Sequence, residues 1–261
     1  MKIICIGRNY AKHIEELANE RPKNPIIFLK PDSAILPRKN PFFIPPFSKD
    51  IHYEVEVLLK INKVGKHIDV KFAHKYYDEI GLGIDFTARD VQAECKEKGL
   101  PWEKAKAFDG SAVIGVFYPK EEFDIANLKF QLYQNETIVQ DGNTNAMLWK
   151  IDELIAYVSQ YFTLKKGDII FTGTPAGVGK VSENDVLKGV IAGKEAFTIR
   201  AIAGARFVVS LSGESLSPKY APDITAPATI PTGMSSARPI PIKAIPTVAD
   251  VVQLLPVAIE I

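Results

Sequence analysis

The chain has 261 residues, 46% hydrophobic and 24% charged, with a net charge of +1. That is enough to bury a full core in one domain or slightly more, and charge this balanced gives no electrostatic case for a nucleic acid or an anionic membrane as partner. Two cysteines, Cys5 and Cys95, are too few for a disulfide framework and fit a reducing compartment. The apolar part of MKIICIGRNY is too short for a signal peptide and no run reaches transmembrane length, so a cytoplasmic protein is expected.

In chain order, residues 3–6 read as a strand and 10–19 as a short helix opened by Asn9, followed by a polar connector around Pro22. A strand at 26–29 precedes a stretch punctuated by Pro31, Pro37, Pro41, Pro45 and Pro46, which excludes long elements there. Residues 52–60 read as one continuous strand and 70–77 as a helix. A strand at 80–86 runs directly into a helix at 88–98, with Thr87 as N-cap and Gly99 and Pro101 as stop signals. Strands at 111–117, 129–133 and 137–140 follow, the last two joined as a hairpin, then an amphipathic helix at 151–161. A buried strand at 168–171 ends in a glycine-rich loop at 172–179, and two or three further strands reach about Arg200. Strands outnumber helices without regular alternation, which predicts an α+β fold built on mixed sheet with a few short helices. From 203 onward the chain carries eight prolines with many Ser, Thr and Ala. The expected organisation is therefore a domain over 1–202 and a Pro-rich extension over 203–261.

Within the strand at 52–60, Glu54 and Glu56 are two residues apart and share one face. Two acids so placed repel each other; a hard divalent cation relieves that, and a solvated acidic face is the structural alternative. Asp85 falls at a strand end and can supply a third oxygen ligand or serve as a turn residue. Arg89 and Gln92, three apart on a helix, are placed to bind a substrate carboxylate or to brace the ligands. Lys106 lies among Ala105, Ala107 and Phe108, where partial desolvation would suit it to stabilise an enolate; a snorkelling surface lysine is the alternative. His13 and Glu16 sit at i and i+3, as a general base or as an exposed pair. The loop at 172–179 fails as a P-loop, because Thr174 stands at the first glycine position and Val181 where Ser or Thr is required.

Taken together these segments resemble the fumarylacetoacetate hydrolase superfamily. Its motifs occur in order: Gly7-Arg8-Asn9-Tyr10 with His13 and Glu16, Phe28-Leu29-Lys30-Pro31, Glu54-x-Glu56, Asp85-x-x-Ala88-Arg89-Asp90-x-Gln92, Lys106-Ala107-Phe108 and Thr172-Gly173-Thr174-Pro175. Gly99 to Trp102 resembles the small acylpyruvase branch. The resemblance implies a β-roll type of mixed sheet and a homodimer. It also implies Mg²⁺ on Glu54, Glu56 and Asp85, with Mn²⁺ or Ca²⁺ as alternatives. His13, Glu16 and Lys106 would act in catalysis, and Arg8, Lys30, Arg89, Gln92 and Thr174 would contact substrate. The implied reaction is hydrolysis of a 2,4-dioxo acid to pyruvate and a carboxylic acid. Oxaloacetate decarboxylation or tautomerisation and isomerisation of 2-hydroxyhepta-2,4-diene-1,7-dioate are the alternatives on the same metal site. Two features depart from the pattern: the extension at 203–261, and Asp109-Gly110 where small hydroxyl residues are common.

Overall fold

The computed structural model describes residues 1–204. Fourteen strands and five short helices follow one another as β1 (Ile3–Gly7), α1 (Ala11–Glu16), β2 (Ile26–Lys30), β3 (Phe42–Ile44), β4 (Ile51–Tyr53), β5 (Val55–Ile61), α2 (Val70–Ala73), β6 (Tyr77–Asp85), β7 (Thr87–Ala88), α3 (Arg89–Glu97), α4 (Glu103–Lys106), β8 (Ala112–Pro119), β9 (Lys129–Gln134), β10 (Thr137–Asn143), α5 (Ile151–Tyr161), β11 (Ile169–Phe171), β12 (Gly179–Lys180), β13 (Val186–Ile191) and β14 (Lys194–Ala203). They form a six-stranded sheet in the order β2-β1-β11-β5-β6-β8, a five-stranded sheet β10-β9-β13-β14-β3 and a small sheet β12-β4-β7. Pairing is antiparallel except for β1 with β11 and β14 with β3, so the sheets are mixed and the class is α+β. Beyond residue 204, the expected Pro-rich extension lies outside the described residues. Among the described residues no helix is long and apolar enough to cross a membrane.

The core explains the apolar runs. Val55, Val57, Leu59 and Ile61 on one face of β5 join Ile80, Leu82 and Ile84 of β6 and the inner face of α5, including Leu154, Ile155 and Val158. Leu58, on the opposite face of β5, packs with Ile3, Cys5 and Phe171 in a second cluster, so the central strands are covered on both sides. Cys5 and Cys95 are buried free thiols, as expected of small hydrophobes.

Four local expectations are corrected. The strand expected at 52–60 is broken at Glu54: β4 pairs with β7 and β12, whereas β5 enters the large sheet. At the break the Val55 N–H donates to the side-chain Oε1 of Gln140 (2.9 Å) instead of to a neighbouring strand. The helix expected at 70–77 ends at Ala73, because Tyr77 is drawn into β6 opposite Ile61. Thr87 is not an N-cap; it pairs with His52 in the small sheet, and α3 starts at Arg89. The first helix covers only Ala11–Glu16 and follows Tyr10. Asn9 is instead turned inward, donating to the carbonyls of Thr172 (2.8 Å) and Trp149 (3.1 Å) and accepting from the Trp149 N–H (2.9 Å). The hairpin between β9 and β10 is tight, with Asn135 and Glu136 both at positive φ, as a two-residue type I′ turn requires.

Candidate active site

The register of β5 on β6 builds the site. Glu56 stands opposite Gly83 and the Asp85 N–H donates to the Glu54 carbonyl (2.9 Å), so Glu54, Glu56 and Asp85 face the same side of adjoining strands. Gly83 contributes no side chain between them. The three carboxylates are buried and offer oxygens within 4.8 Å of one another.

Three cations surround this acidic floor. Lys106 at the end of α4 donates to Glu54 Oε2 (2.9 Å) and Asp85 Oδ2 (2.7 Å). Arg89 at the start of α3 donates to Glu54 Oε1 (2.5 Å) and, through its other terminal nitrogen, to Gln92 Oε1 (2.8 Å). Lys30 at the end of β2 lies 2.7 Å from Asp85 Oδ1 but off the angle of a hydrogen bond, so that buried oxygen keeps an open lone pair. Glu56 forms no ion pair among the described residues and accepts only from the Gly173 N–H (2.7 Å).

Electrostatics separates the acids. Burial alone would raise the Glu54 pKa, but Lys106, Arg89 and His13 hold it well below the usual range. Burial, then Asp85 and Glu54, push Glu56 well above that range, and Lys106 and the Gly173 N–H do not offset them. Burial would lower Lys106; Asp85 and Glu54 outweigh it, so the ammonium stays charged. An isolated pair of salt bridges would leave Glu56 satisfied or absent. The actual arrangement keeps an uncompensated buried carboxylate beside an open Asp85 lone pair, and this donor set of hard oxygens fits a divalent cation.

Around the floor lies a cleft of about 410 Å³, its mouth included, lined by His13, Gln92, Thr174, Arg8, Phe28 and Trp102 among others. His13 is buried, with Nδ1 3.4 Å from Glu16 Oε2, and its Nε2 has no partner among the described residues. Burial lowers its pKa more than Glu54 and the Glu16 bond raise it, so the ring is neutral at pH 7. Glu16 also accepts from the Gly177 N–H (3.0 and 3.2 Å to its two oxygens), which docks α1 on the loop after β11. In that loop Gly173 adopts φ +101°, where a Cβ would meet Asn9 Cβ at 2.7 Å, so both conformation and close approach demand glycine.

The cleft thus gathers every residue expected to act except two. Glu16 stands behind His13. Lys30, expected to touch substrate, is buried beneath the floor: its ammonium donates to the carbonyls of Lys106 and Ser111 and to Ser111 Oγ (2.9 Å). It is a support for Asp85 and for the turn that carries Lys106. Arg89 lines the cleft, but its terminal nitrogens are committed to Glu54 and Gln92, so in this arrangement it braces those two side chains. Ser111 supplies the hydroxyl missing from Asp109-Gly110, donating to the Lys106 carbonyl (2.9 Å).

Sequence reasoning missed Asn9 as a scaffold, Lys96 at the mouth and Gln140. Gln140 is buried, bonding to the Val55 N–H, to Thr174 Oγ1 (2.9 Å) and to the Pro175 carbonyl (3.0 Å). Only a β-bulge before it, between Ile138 and Gln140, turns the side chain inward. Gln140→Ala strands at least two buried polar groups and is expected to destabilise the protein by about 2–3 kcal/mol, read from the urea midpoint.

The family model described as fumarylacetoacetate (FAA) hydrolase C-terminal matches residues 2–213, and the chain belongs to this enzyme family. It is 43% identical over 192 residues to the bovine (Bos taurus) mitochondrial oxaloacetate tautomerase FAHD1, covering 73% of this chain and 87% of that one. It is 44% identical over 194 residues to the mitochondrial oxaloacetate decarboxylase of Dictyostelium discoideum, covering 74% and 89%. Among solved structures, the fumarylpyruvate hydrolase of Pseudomonas aeruginosa, in complex with Mn²⁺ and pyruvate, superposes with a TM-score of 0.74 at 32% identity, covering 78% of this chain and 90% of that one.

Proposed function

We propose that residues 1–202 form a divalent-metal-dependent oxaloacetate tautomerase, interconverting the enol and keto forms, with decarboxylation of the same substrate as a side reaction. This replaces dioxo-acid hydrolysis as the favoured reading, and the tautomerase and decarboxylase relatives support the change. The observation that carries it is a buried His13 in one cleft with Lys106, whose ammonium is fixed by Glu54 and Asp85. Tautomerisation needs little else: a group that moves a proton at C3 and a charge that stabilises the oxygen at C2.

Glu54, Glu56 and Asp85 would hold Mg²⁺ or Mn²⁺, which when bound supplies a Lewis acid for the carboxylate and 2-oxo oxygen of the substrate. Lys106 has three N–H donors, of which Glu54 and Asp85 take two; the third is free for an enolate oxygen. In the keto-to-enol direction His13 Nε2 takes the C3 proton and, as the imidazolium, gives it to the oxygen at C2, the reverse transfers restoring the keto form, while Glu16 at Nδ1 fixes the tautomer and steadies the imidazolium. The Gln92 carbonyl oxygen is occupied by Arg89, which leaves its NH₂ to donate to substrate. The Thr174 hydroxyl accepts from Gln140 and keeps its own proton to donate. Phe28 and Trp102 wall the cleft and restrict water.

Hydrolysis of an acylpyruvate is the second reading, favoured by the His13–Glu16 pair, which has the form of a base for water. The two separate in one experiment. Purified protein with Mg²⁺ or Mn²⁺ is expected to accelerate decay of the enol absorbance of oxaloacetate, with EDTA abolishing it, and to release pyruvate from acetylpyruvate far more slowly. Efficient acetylpyruvate cleavage without enol decay would establish the hydrolase instead.

A further inference from the structure

The floor of the cleft is balanced: Glu54, Glu56 and Asp85 face Lys30, Lys106 and Arg89, three charges of each sign. The mouth is not. Arg8 and Lys96 both line the cleft, and neither forms an ion pair among the described residues. Their only partners there are neutral oxygens: Arg8 donates to the Glu20 carbonyl (3.3 Å) and Lys96 to Asn19 Oδ1 (3.3 Å). Both contacts are long and hold the heads over the opening without neutralising them.

The backbone commits to this placement. Arg8 is at φ +58°, in the left-handed region that a bulky side chain adopts only under constraint. It occupies the turn between β1 and α1, and Asn9, next in sequence, is pinned from three sides. Lys96 projects from the last turn of α3, the helix whose first turn supplies Arg89 and Gln92 to the same cleft. Its ammonium lies 5.7 Å from the centre of the Trp102 ring, which limits where the chain can swing. Burial, then Arg8 and Arg89, lower the pKa of Lys96 by more than the carboxylate of Glu54 raises it, as expected of cations crowded at one opening.

From this we infer that Lys96, with Arg8, forms a distal carboxylate site at the cleft mouth, selecting four-carbon oxo diacids over monoacids of the same shape. The inference deepens the proposed oxaloacetate reading and rests on it for the orientation of the substrate, 2-oxo acid end down. A divalent ion on a neutral floor carries two net positive charges. A monoacid neutralises one of them, whereas the second carboxylate of a diacid neutralises the other and meets the two unpaired cations. Lys96 is therefore a specificity-determining residue, and an acyl group without charge gains nothing from the mouth.

Malate and 2-hydroxybutyrate make the test, since they share the 2-hydroxy acid end and differ at the distal carbon by a carboxylate against a methyl. Neither turns over by enolisation. Each is titrated calorimetrically into the Mg²⁺-loaded full chain, as wild type, Lys96→Met and Lys96→Glu. Wild type is expected to prefer malate, and Lys96→Met to lose roughly fivefold to twentyfold of that preference, with 2-hydroxybutyrate binding retained as evidence that the variant is folded. Lys96→Glu should reverse the preference, and raised salt should weaken malate alone. Equal binding of the two acids by wild type, no malate binding, or a ratio unmoved by Lys96→Met would each overturn the inference. Malate selectivity in a protein that does not tautomerise oxaloacetate would leave the mouth site standing and remove the proposed reaction.

Discussion

Glu56→Gln is expected to make the metal-free protein more stable while lowering its metal-dependent activity by at least about 10³-fold, well past the 10–100-fold typical of an outer partner of a metal ligand. The two effects share one cause. Glu56 is the floor carboxylate without an ion pair, and burial and its two acidic neighbours raise its pKa. A raised carboxyl pKa means that the folded state binds the proton more tightly than the unfolded chain. The contribution of Glu56 is then favourable below the unfolded value near 4.5 and turns into a growing penalty as pH climbs toward the raised folded value. Glutamine keeps the Gly173 N–H bond through its carbonyl oxygen and removes the charge. The expected gain is about 1 kcal/mol at pH 8 in EDTA and near zero at pH 5, read from urea midpoints. Metal reverses the order: Mg²⁺ should raise the melting temperature of wild type, more at pH 8 than at pH 5, and that of Glu56→Gln little, because only the ionised ligand set binds. A Glu56→Gln variant less stable than wild type at pH 8 in EDTA would show that this carboxylate is not held under repulsion.

The contrast with Asp85 follows from the same geometry. Asp85→Asn removes the counter-charge of two buried ammonium groups, Lys30 and Lys106, and breaking a buried pair costs about 3–5 kcal/mol. Of the three acids, Glu56 therefore tests metal binding with the least disturbance to folding.

What the sequence exposed and what it hid divide along contact range. Side-chain alternation puts Glu54 and Glu56 on one face whatever the rest of the chain does, and Asp85 follows once its strand lies beside theirs. Helix 151–161 is legible because its apolar stripe and its ends are local features, and the structure has α5 over the same residues. The break at Glu54 is hidden because its cause, Gln140, is 85 residues from Val55. Tyr77 leaves a helical pattern for the same kind of reason: a sheet partner outweighs weak local propensity. The substrate contact expected of Lys30 comes from the family resemblance of Phe28-Leu29-Lys30-Pro31, which carries no information about what the ammonium meets in this chain. That it ends beneath the floor depends on Asp85 and on two carbonyls supplied by the turn at 106–111. Lys96 carries no signal in the sequence, being a lone lysine of the helix α3 with nothing in its neighbours to set it apart, and only the fold sets it over the cleft.

His13 decides between the reactions that one such site could perform, because they differ in the proton each must move. Keto–enol exchange requires a proton to pass between C3 and the oxygen at C2. Hydrolysis requires one to leave water. Decarboxylation of the 2-oxo diacid breaks a C–C bond and asks no side chain for a proton in that step. Removal of the imidazole in His13→Ala is therefore expected to lower enol–keto exchange by about 10²–10⁴-fold, the range of a positioned general base, and acylpyruvate cleavage by as much. Oxaloacetate decarboxylation should fall by less than about tenfold, since Lys106 still faces the oxygen that gains charge. The pH profile adds a second, independent reading. Burial depresses the His13 pKa, so the neutral base persists below the usual 6.5, and wild-type exchange should stay level through pH 7 and decline only in more acid solution. Glu16→Gln weakens the carboxylate contact that favours the imidazolium, so its acid limb should move to still lower pH, with a smaller maximal rate. Stopped-flow enol decay across pH 5 to 8 measures both limbs. Equal loss of exchange and decarboxylation in His13→Ala would take the proton shuttle away from His13. It would then point to a role for the imidazole in holding α1 against the cleft, a contact that both reactions would share.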